Sequence, residues 1–251
     1  MGYTYVISDI HGQLSYFEAI LNRIDLRSDD RLYVLGDVID RGTQGIEILR
    51  RIMNMPNAEM LLGNHEFMML NALGEPYDDI NRNISECSRL WYRNGGGVTH
   101  MKWLCLSEHE QNDIIGYLKS LPLNIDTEVC GKQYRLVHAA DTEFYPQYMA
   151  DRCSLAEYSV WERKALIEMA GSDRNYVFGH TGTVMLAPSA EPKIWIKENL
   201  IGIDCGCAIR KGYYVSGLGV VRGRLGCIRL DDMKEYYSDD TDDENTVRSP
   251  A

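Results

Sequence analysis

Short apolar, β-branched or aromatic runs recur at residues 3–8, 31–36, 58–62, 133–138, 175–178 and 200–203, each of strand length. Between several of them the apolar period changes. Leu14, Phe17, Ile20, Leu21 and Ile24 form one stripe at helical spacing, and Ile46, Ile48, Leu49 and Ile52 a second that stops before Pro56. Phe67, Met69 and Leu70 begin a third. Strand then helix, repeated, predicts an α/β fold. The late stretch alternates more and is broken by glycines, which predicts a closing hairpin or meander with strands at 213–215, 219–221 and 227–230. Residues 71–130, with Met101, Trp103 and Leu104 in a helical pattern, are either a cap or ordinary core. No solenoid-period repeat and no Pro- or Ser-rich linker divides the chain, so one domain is expected over 1–230.

Composition narrows the class. The 251 residues are 45% hydrophobic and 25% charged, ordinary for a globular protein. No apolar run is long enough to span a bilayer. The first residues lack a basic region and meet Asp9 early, so no signal peptide is expected, and Val6 stands where a myristoylation motif wants Ser or Thr. A cytoplasmic location is expected, and the seven cysteines are read as reduced thiols, Cys205 and Cys207 included. The net charge of -11 disfavours nucleic acid, which needs a basic stripe, and no membrane partner is expected. Residues 231–251 carry eight acids against Lys234 and Arg248, a net of -6. This segment is expected to be a disordered acidic tail, because it offers little apolar surface to bury.

The candidate chemistry lies where the predicted strands end. After them come Asp9-Ile10-His11-Gly12, Gly36-Asp37-Val38-Ile39-Asp40-Arg41-Gly42, Gly63-Asn64-His65-Glu66, His138-Ala139-Ala140 and Gly179-His180-Thr181. The carboxyl ends of strands are where α/β sheets bind ligands. Asp9, His11, Asp37, Asn64, His138 and His180 make a mixed oxygen and nitrogen donor set without thiolate. That set suits Mn, Fe or Zn better than Ca or a pure Mg site. One carboxylate such as Asp37 can bridge two ions, and water held between them becomes a nucleophile near neutral pH.

The blocks Asp9-Ile10-His11-Gly12, 36–42 and 63–66 resemble the signatures of the phosphoprotein phosphatase family, within the calcineurin-like metallophosphoesterases. Trp91-Tyr92-Arg93-Asn94-Gly95-Gly96 and Trp161-Glu162-Arg163 are similar to blocks of its bacterial and bacteriophage members. The resemblance covers nearly all of 3–230 and implies two mixed β-sheets flanked by helices. It implies two divalent ions, Mn foremost. Asp9, His11 and Asp37 would hold one, and Asp37, Asn64, His138 and His180 the other. Arg41 and Arg163 would grip phosphoryl oxygens with help from Asn64. His65 would be the general acid, oriented by Asp40. The implied activity is hydrolysis of phosphoserine and phosphothreonine in proteins, with phosphotyrosine a further substrate.

Some positions depart from the family pattern. Ser8 replaces a common Gly, Leu62 stands where eukaryotic members have Arg, and His138-Ala139-Ala140 replaces His-Gly-Gly. No eukaryotic carboxyl-terminal signature is evident near Gly202-Ile203-Asp204, and Asp141 is given no role. Two other readings compete: a dinucleoside polyphosphate hydrolase, and a non-catalytic metal-binding scaffold. Asp40 speaks against the first, a branch expected to carry Ala there. The complete set of expected ligands, together with His65, speaks against the second.

Overall fold

The computed structural model describes residues 2–150, 152–209 and 212–239. Two five-stranded sheets and a separate hairpin make up its β-structure. The first sheet runs in the order β12 (Lys234–Tyr237), β11 (Gly226–Arg229), β1 (Thr4–Ile7), β2 (Arg31–Val34), β3 (Ala58–Met60). The second runs β4 (Asn124–Val129), β5 (Lys132–Val137), β6 (Asn175–Phe178), β8 (Leu200–Gly202), β7 (Trp195–Lys197). The hairpin pairs β9 (Tyr213–Val215) with β10 (Gly219–Val221) and does not continue into β11.

Strand alternation builds the layers. Tyr5, Ile7, Leu32 and Val34 point outward into one cluster, while Val6, Tyr33 and Leu35 point inward to meet Leu136, Val177 and Ile201 of the second sheet. On the far side of the second sheet, Val137, Tyr176, Phe178 and Leu200 pack on Tyr158 and Met169. The result is helix, sheet, sheet, helix, as the family resemblance implies. Against the first sheet lie α1 (Leu14–Ile24), α2 (Gly45–Met53) and α3 (Asn64–Ala72). The third of these is buried along its whole length, because it follows β3 into the interior and is also covered by α4 (Ile84–Arg93), α6 (Glu108–Ser120) and α7 (Leu155–Trp161). Between α4 and α6 lies α5 (Gly97–Trp103). Trp91, Trp103, Ile114, Leu118 and Leu121 of this region join the same core as α1 and α2, so 71–130 is core rather than a detached cap. No described helix is long and apolar enough to cross a membrane.

The expected boundary at residue 230 falls too early. β12 pairs antiparallel with β11, from Arg229↔Lys234 to Gly226↔Tyr237. Tyr236 joins the outer core and Tyr237 the core between the sheets. The phenol of Tyr237 accepts a hydrogen bond from the Ile194 amide at 3.0 Å. The acids in 231–251 outnumber this aromatic pair and mask it in composition, but two alternating rings are enough to cap a sheet edge. The rest of the acidic run, 240–251, lies outside the described residues.

Candidate active site

Six parallel strands, β1, β2, β3, β5, β6 and β8, end toward one place. Just beyond them stand Asp9, Asp37, Asn64, His138, His180 and Asp204. The predicted blocks are thus brought together, and the last of the six strands adds Asp204, a group the sequence reading left without a role.

The loops are held in unfavourable backbone. Asp9 (φ 54°), His11 (48°), Asp37 (55°), Asp40 (71°), Arg41 (64°) and His180 (58°) all lie in the left-handed region. Asp and His tolerate that region better than most residues, but the concentration of cost at one place marks a functional site. A lattice of bonds holds it. The Glu66 carboxylate accepts from the amides of Asp37 (2.9 Å), Val38 (2.9 Å) and Ile39 (3.2 Å). The Gly12 amide donates to the Val38 carbonyl at 2.8 Å and the Arg41 amide to the Gly95 carbonyl at 3.2 Å. Gly63 leaves room for none of this to shift: a Cβ there would lie 2.3 Å from Asp37 N and 2.5 Å from Glu66 Oε2. Gly63→Ala should therefore cost about 2 kcal/mol and lower Tm by roughly 4–8 °C, checked by thermal unfolding.

Asp37 sits at the centre. Its Oδ2 is 3.7 Å from His11 Nε2 and 3.9 Å from His65 Nε2, while its Oδ1 is 3.6 Å from His138 Nε2. His11, Asp37 and His65 form one cluster of potential metal donors, and Asp37, His138 and His180 form another. Asp37 belongs to both. The oxygen Asp9 Oδ1 is 4.0 Å from His11 Nε2, while Asp9 Oδ2 accepts from Ser8 Oγ (2.5 Å) and the His180 amide (3.0 Å).

The donor set fits cations. Nδ1 of His11 donates to the Ile39 carbonyl (3.1 Å) and Nδ1 of His138 to the Leu35 carbonyl (2.6 Å), so each Nε2 lone pair faces inward. His138 Nε2 and Asn64 Oδ1 then stand 3.0 Å apart as two acceptors, with His180 Nδ1 2.8 Å from the same oxygen. His180 Nε2 is buried without a partner. Burial raises the carboxyls of Asp9 and Asp37 well above their usual range; Asp204 and Asp37 add to the first and Glu66 to the second. Burial likewise lowers His11, His65 and His180 well below the usual imidazole range, helped by His65, Arg41 and His138 respectively. Crowded buried carboxylates beside neutral imidazoles are what a bound cation relieves.

The remaining predicted residues stand around these clusters. His65 Nδ1 is 2.6 Å from Asp40 Oδ2. Burial pushes the Asp40 carboxyl up to about 7, opposed by the neighbouring Thr99 hydroxyl and the Trp91 indole. Arg41 donates through Nη1 to His11 Nε2 (2.9 Å) and through Nη2 to His65 Nε2 (3.1 Å). Arg163 is less tightly held. It lies in the bend after α7 and donates to the His180 carbonyl at 3.4 Å. An open groove of about 850 Å³ runs from Arg41 past Gln13, Gly42 and Thr43 to Ala208, Ile209 and Gly212.

Sequence reasoning assigned no role to Glu66, Ser8, Trp91, Thr99 or Asp204. Glu66 sits inside the Gly63-Asn64-His65-Glu66 block, in the first turn of α3, where its spacing after Asn64 was a usable signal. Trp91 also lay in a quoted block. Ser8, Thr99 and Asp204 carried no pattern that separates them from ordinary polar residues. Asp141 proves structural: it is buried and bonded to Arg135 Nη2 (2.9 Å) and the Tyr176 phenol (3.0 Å).

A two-sheet sandwich whose strand ends share one carboxylate between two donor clusters defines a metal-dependent hydrolase of the phosphoesterase class. Comparison with known proteins agrees. Residues 3–184 match the calcineurin-like phosphoesterase family, and the chain belongs to that family. Its members work with a dinuclear metal centre. Serine/threonine-protein phosphatase 2 of Salmonella typhimurium is 30% identical over 191 residues, 70% of this chain and 78% of the relative. A symmetrical bis(5'-nucleosyl)-tetraphosphatase of Proteus mirabilis is 24% identical over 159 residues, 60% of this chain and 49% of the relative. A solved structure provisionally described as a diadenosine tetraphosphatase shares the fold, with a TM-score of 0.59 at 18% identity over 94% of this chain and 92% of that chain.

Proposed function

We propose that this chain is a dinuclear-metal phosphomonoesterase whose substrates are proteins phosphorylated on serine or threonine, with phosphotyrosine also accepted. The observation that carries the reading is the His65–Asp40 pair, 2.6 Å apart and buried, with His65 Nε2 facing Asp37 Oδ2 across 3.9 Å. An alkoxide leaving group is a strong base and needs a positioned proton donor; a phosphate leaving group needs one much less.

Asp9, His11 and Asp37 would hold one ion, and Asp37, Asn64, His138 and His180 the other. Imidazole and carboxylate oxygen without thiolate suit manganese, iron or zinc, and manganese is the ion we propose. When bound, the ions supply an activated water and neutralise phosphoryl charge. The protein's own groups do the rest. Arg41 and Arg163 bind and orient the phosphoryl oxygens by forked donation, with the Asn64 amide beside them. A phosphoryl group offered to Arg41 competes with the imidazoles it now donates to, freeing His65 Nε2. The freed Nε2 then takes up a proton from solvent, making His65 an imidazolium, and passes that proton to the leaving oxygen. Asp40 keeps Nδ1–H in place and balances the imidazolium charge.

Arg163→Ala should lower kcat/KM for a phosphopeptide by about 10²-fold at unchanged metal content. Unchanged efficiency would remove Arg163 from the site. The second reading, cleavage of dinucleoside polyphosphates, is supported by the relatives named for that activity. A side-by-side assay of the Mn-loaded chain on phosphoserine, phosphothreonine and phosphotyrosine peptides and on diadenosine tetraphosphate tests the choice. Preference for phosphoserine and phosphothreonine peptides is expected; preference for the dinucleotide would overturn the reading.

A further inference from the structure

The Asp40 carboxylate is loaded unevenly. Its Oδ2 accepts two bonds, from His65 Nδ1 at 2.6 Å and from Trp91 Nε1 at 2.9 Å. Its Oδ1 is buried without a partner. Any partial rotation about the Cβ–Cγ bond would swing Oδ2 out of line with His65 Nδ1, so something must hold the plane of the carboxylate. The indole N–H is a single donor with one direction, and here it points at the oxygen that serves His65.

Trp91 is itself pinned. It is 1% exposed. Tyr92 stacks at 6.0 Å with planes 11° apart, and His100 tilts against the ring at 5.6 Å. Gly96 lies so close that a Cβ there would be 2.3 Å from both Cδ1 and Nε1 of the indole. The same stretch holds the backbone of the Asp40-Arg41 corner. Thr99 Oγ1 is 3.0 Å from the Asp40 amide, and the Gly95 carbonyl accepts from the Arg41 amide at 3.2 Å. Both corner residues have positive φ, at 71° and 64°, so this corner does not hold its shape by local preference.

We propose that the α4–α5 turn is a clamp on the proton-delivering pair, and that Trp91 is a positioning residue which sets the Asp40 carboxylate so that His65 Nε2 is aimed at the leaving oxygen. The inference rests on the phosphomonoesterase reading above. A group that acts only through leaving-group protonation matters in proportion to how basic the leaving group is. Loss of the indole N–H should therefore be felt on a serine phosphate and little on a nitrophenyl phosphate, whose leaving group departs without a proton. A residue that merely supports packing would slow both alike.

The test compares wild type, Trp91→Phe and Asp40→Asn, each Mn-loaded, on a phosphoserine peptide and on p-nitrophenyl phosphate. Trp91→Phe should lower kcat on the phosphopeptide about 10-fold, with KM and metal content unchanged, and lower kcat on the nitrophenyl ester less than about 2-fold. In the Asp40→Asn background it should add little. Because Phe leaves a gap, β-(3-benzothienyl)alanine placed at position 91 provides the same loss of N–H at nearly constant shape, and should reproduce the pattern. Equal losses on both esters, or a full additional loss in the Asp40→Asn background, would overturn the role for Trp91 while leaving the enzyme reading intact. Absence of metal-dependent turnover of either ester by the wild type would overturn that reading, and this inference with it.

Discussion

Asp37→Asn should reduce turnover of any phosphate ester by about 10⁴-fold or more and strip the chain of bound metal. Asp37 is the residue common to both donor clusters, with Oδ2 toward His11 and Oδ1 toward His138. The substitution keeps the shape and one oxygen but removes the negative charge that two cations would share. One of the two oxygens becomes an NH2, so if the remaining oxygen keeps the bond from the His65 amide, now donated to Asp37 Oδ1 at 2.9 Å, the side facing His11 has a donor in place of an acceptor. Plasma mass spectrometry of the dialysed variant checks the metal loss, and a phosphatase assay checks the turnover. Two ions retained per chain would show that Asp37 is not the bridge.

His65→Asn should behave differently. It should lower kcat on a phosphoserine peptide by about 10²–10⁴-fold while metal content stays at the wild-type level. The ring lies beside Asp37, yet its Nδ1 partner is the Asp40 carboxylate, where His11 and His138 have backbone carbonyls, and a carboxylate partner balances a ring that gains and gives up a proton. The variants separate the two roles when measured in parallel. Equal metal loss in His65→Asn and Asp37→Asn would make His65 a ligand, consistent with its membership of the cluster with His11 and Asp37, and would end its assignment as the acid.

The parallel strands and first three helices were legible because their signals are local and strong. Apolar and aromatic runs such as 175–178 have one face in each core, and the stripe Leu14, Phe17, Ile20, Leu21, Ile24 has one period. The strands that escaped notice, Asn124–Val129 and Trp195–Lys197, are sheet edges with polar faces, and an edge strand has little pattern to read. β12 was hidden by its acidic surroundings. The donor set was legible for a different reason: metal chemistry needs particular side chains, and strand ends are where α/β sheets place them. What supports the donors was harder to see. Glu66 acts through three backbone amides and Trp91 through one indole N–H, and both functions exist only once distant segments meet. Nor does hydropathy reveal that Asp9, His11, Asp37, Asp40, Arg41 and His180 would themselves carry the strained backbone.

The central claim is that this pocket turns over phosphate esters only with a pair of ions shared across Asp37. Calorimetric titration of manganese into chelator-stripped protein, with p-nitrophenyl phosphate turnover followed on the same samples, puts that claim to the test. Saturation near two equivalents, with activity absent beforehand and restored on loading, is the predicted outcome. Full activity in the stripped chain, or no metal uptake by the wild type, would contradict it.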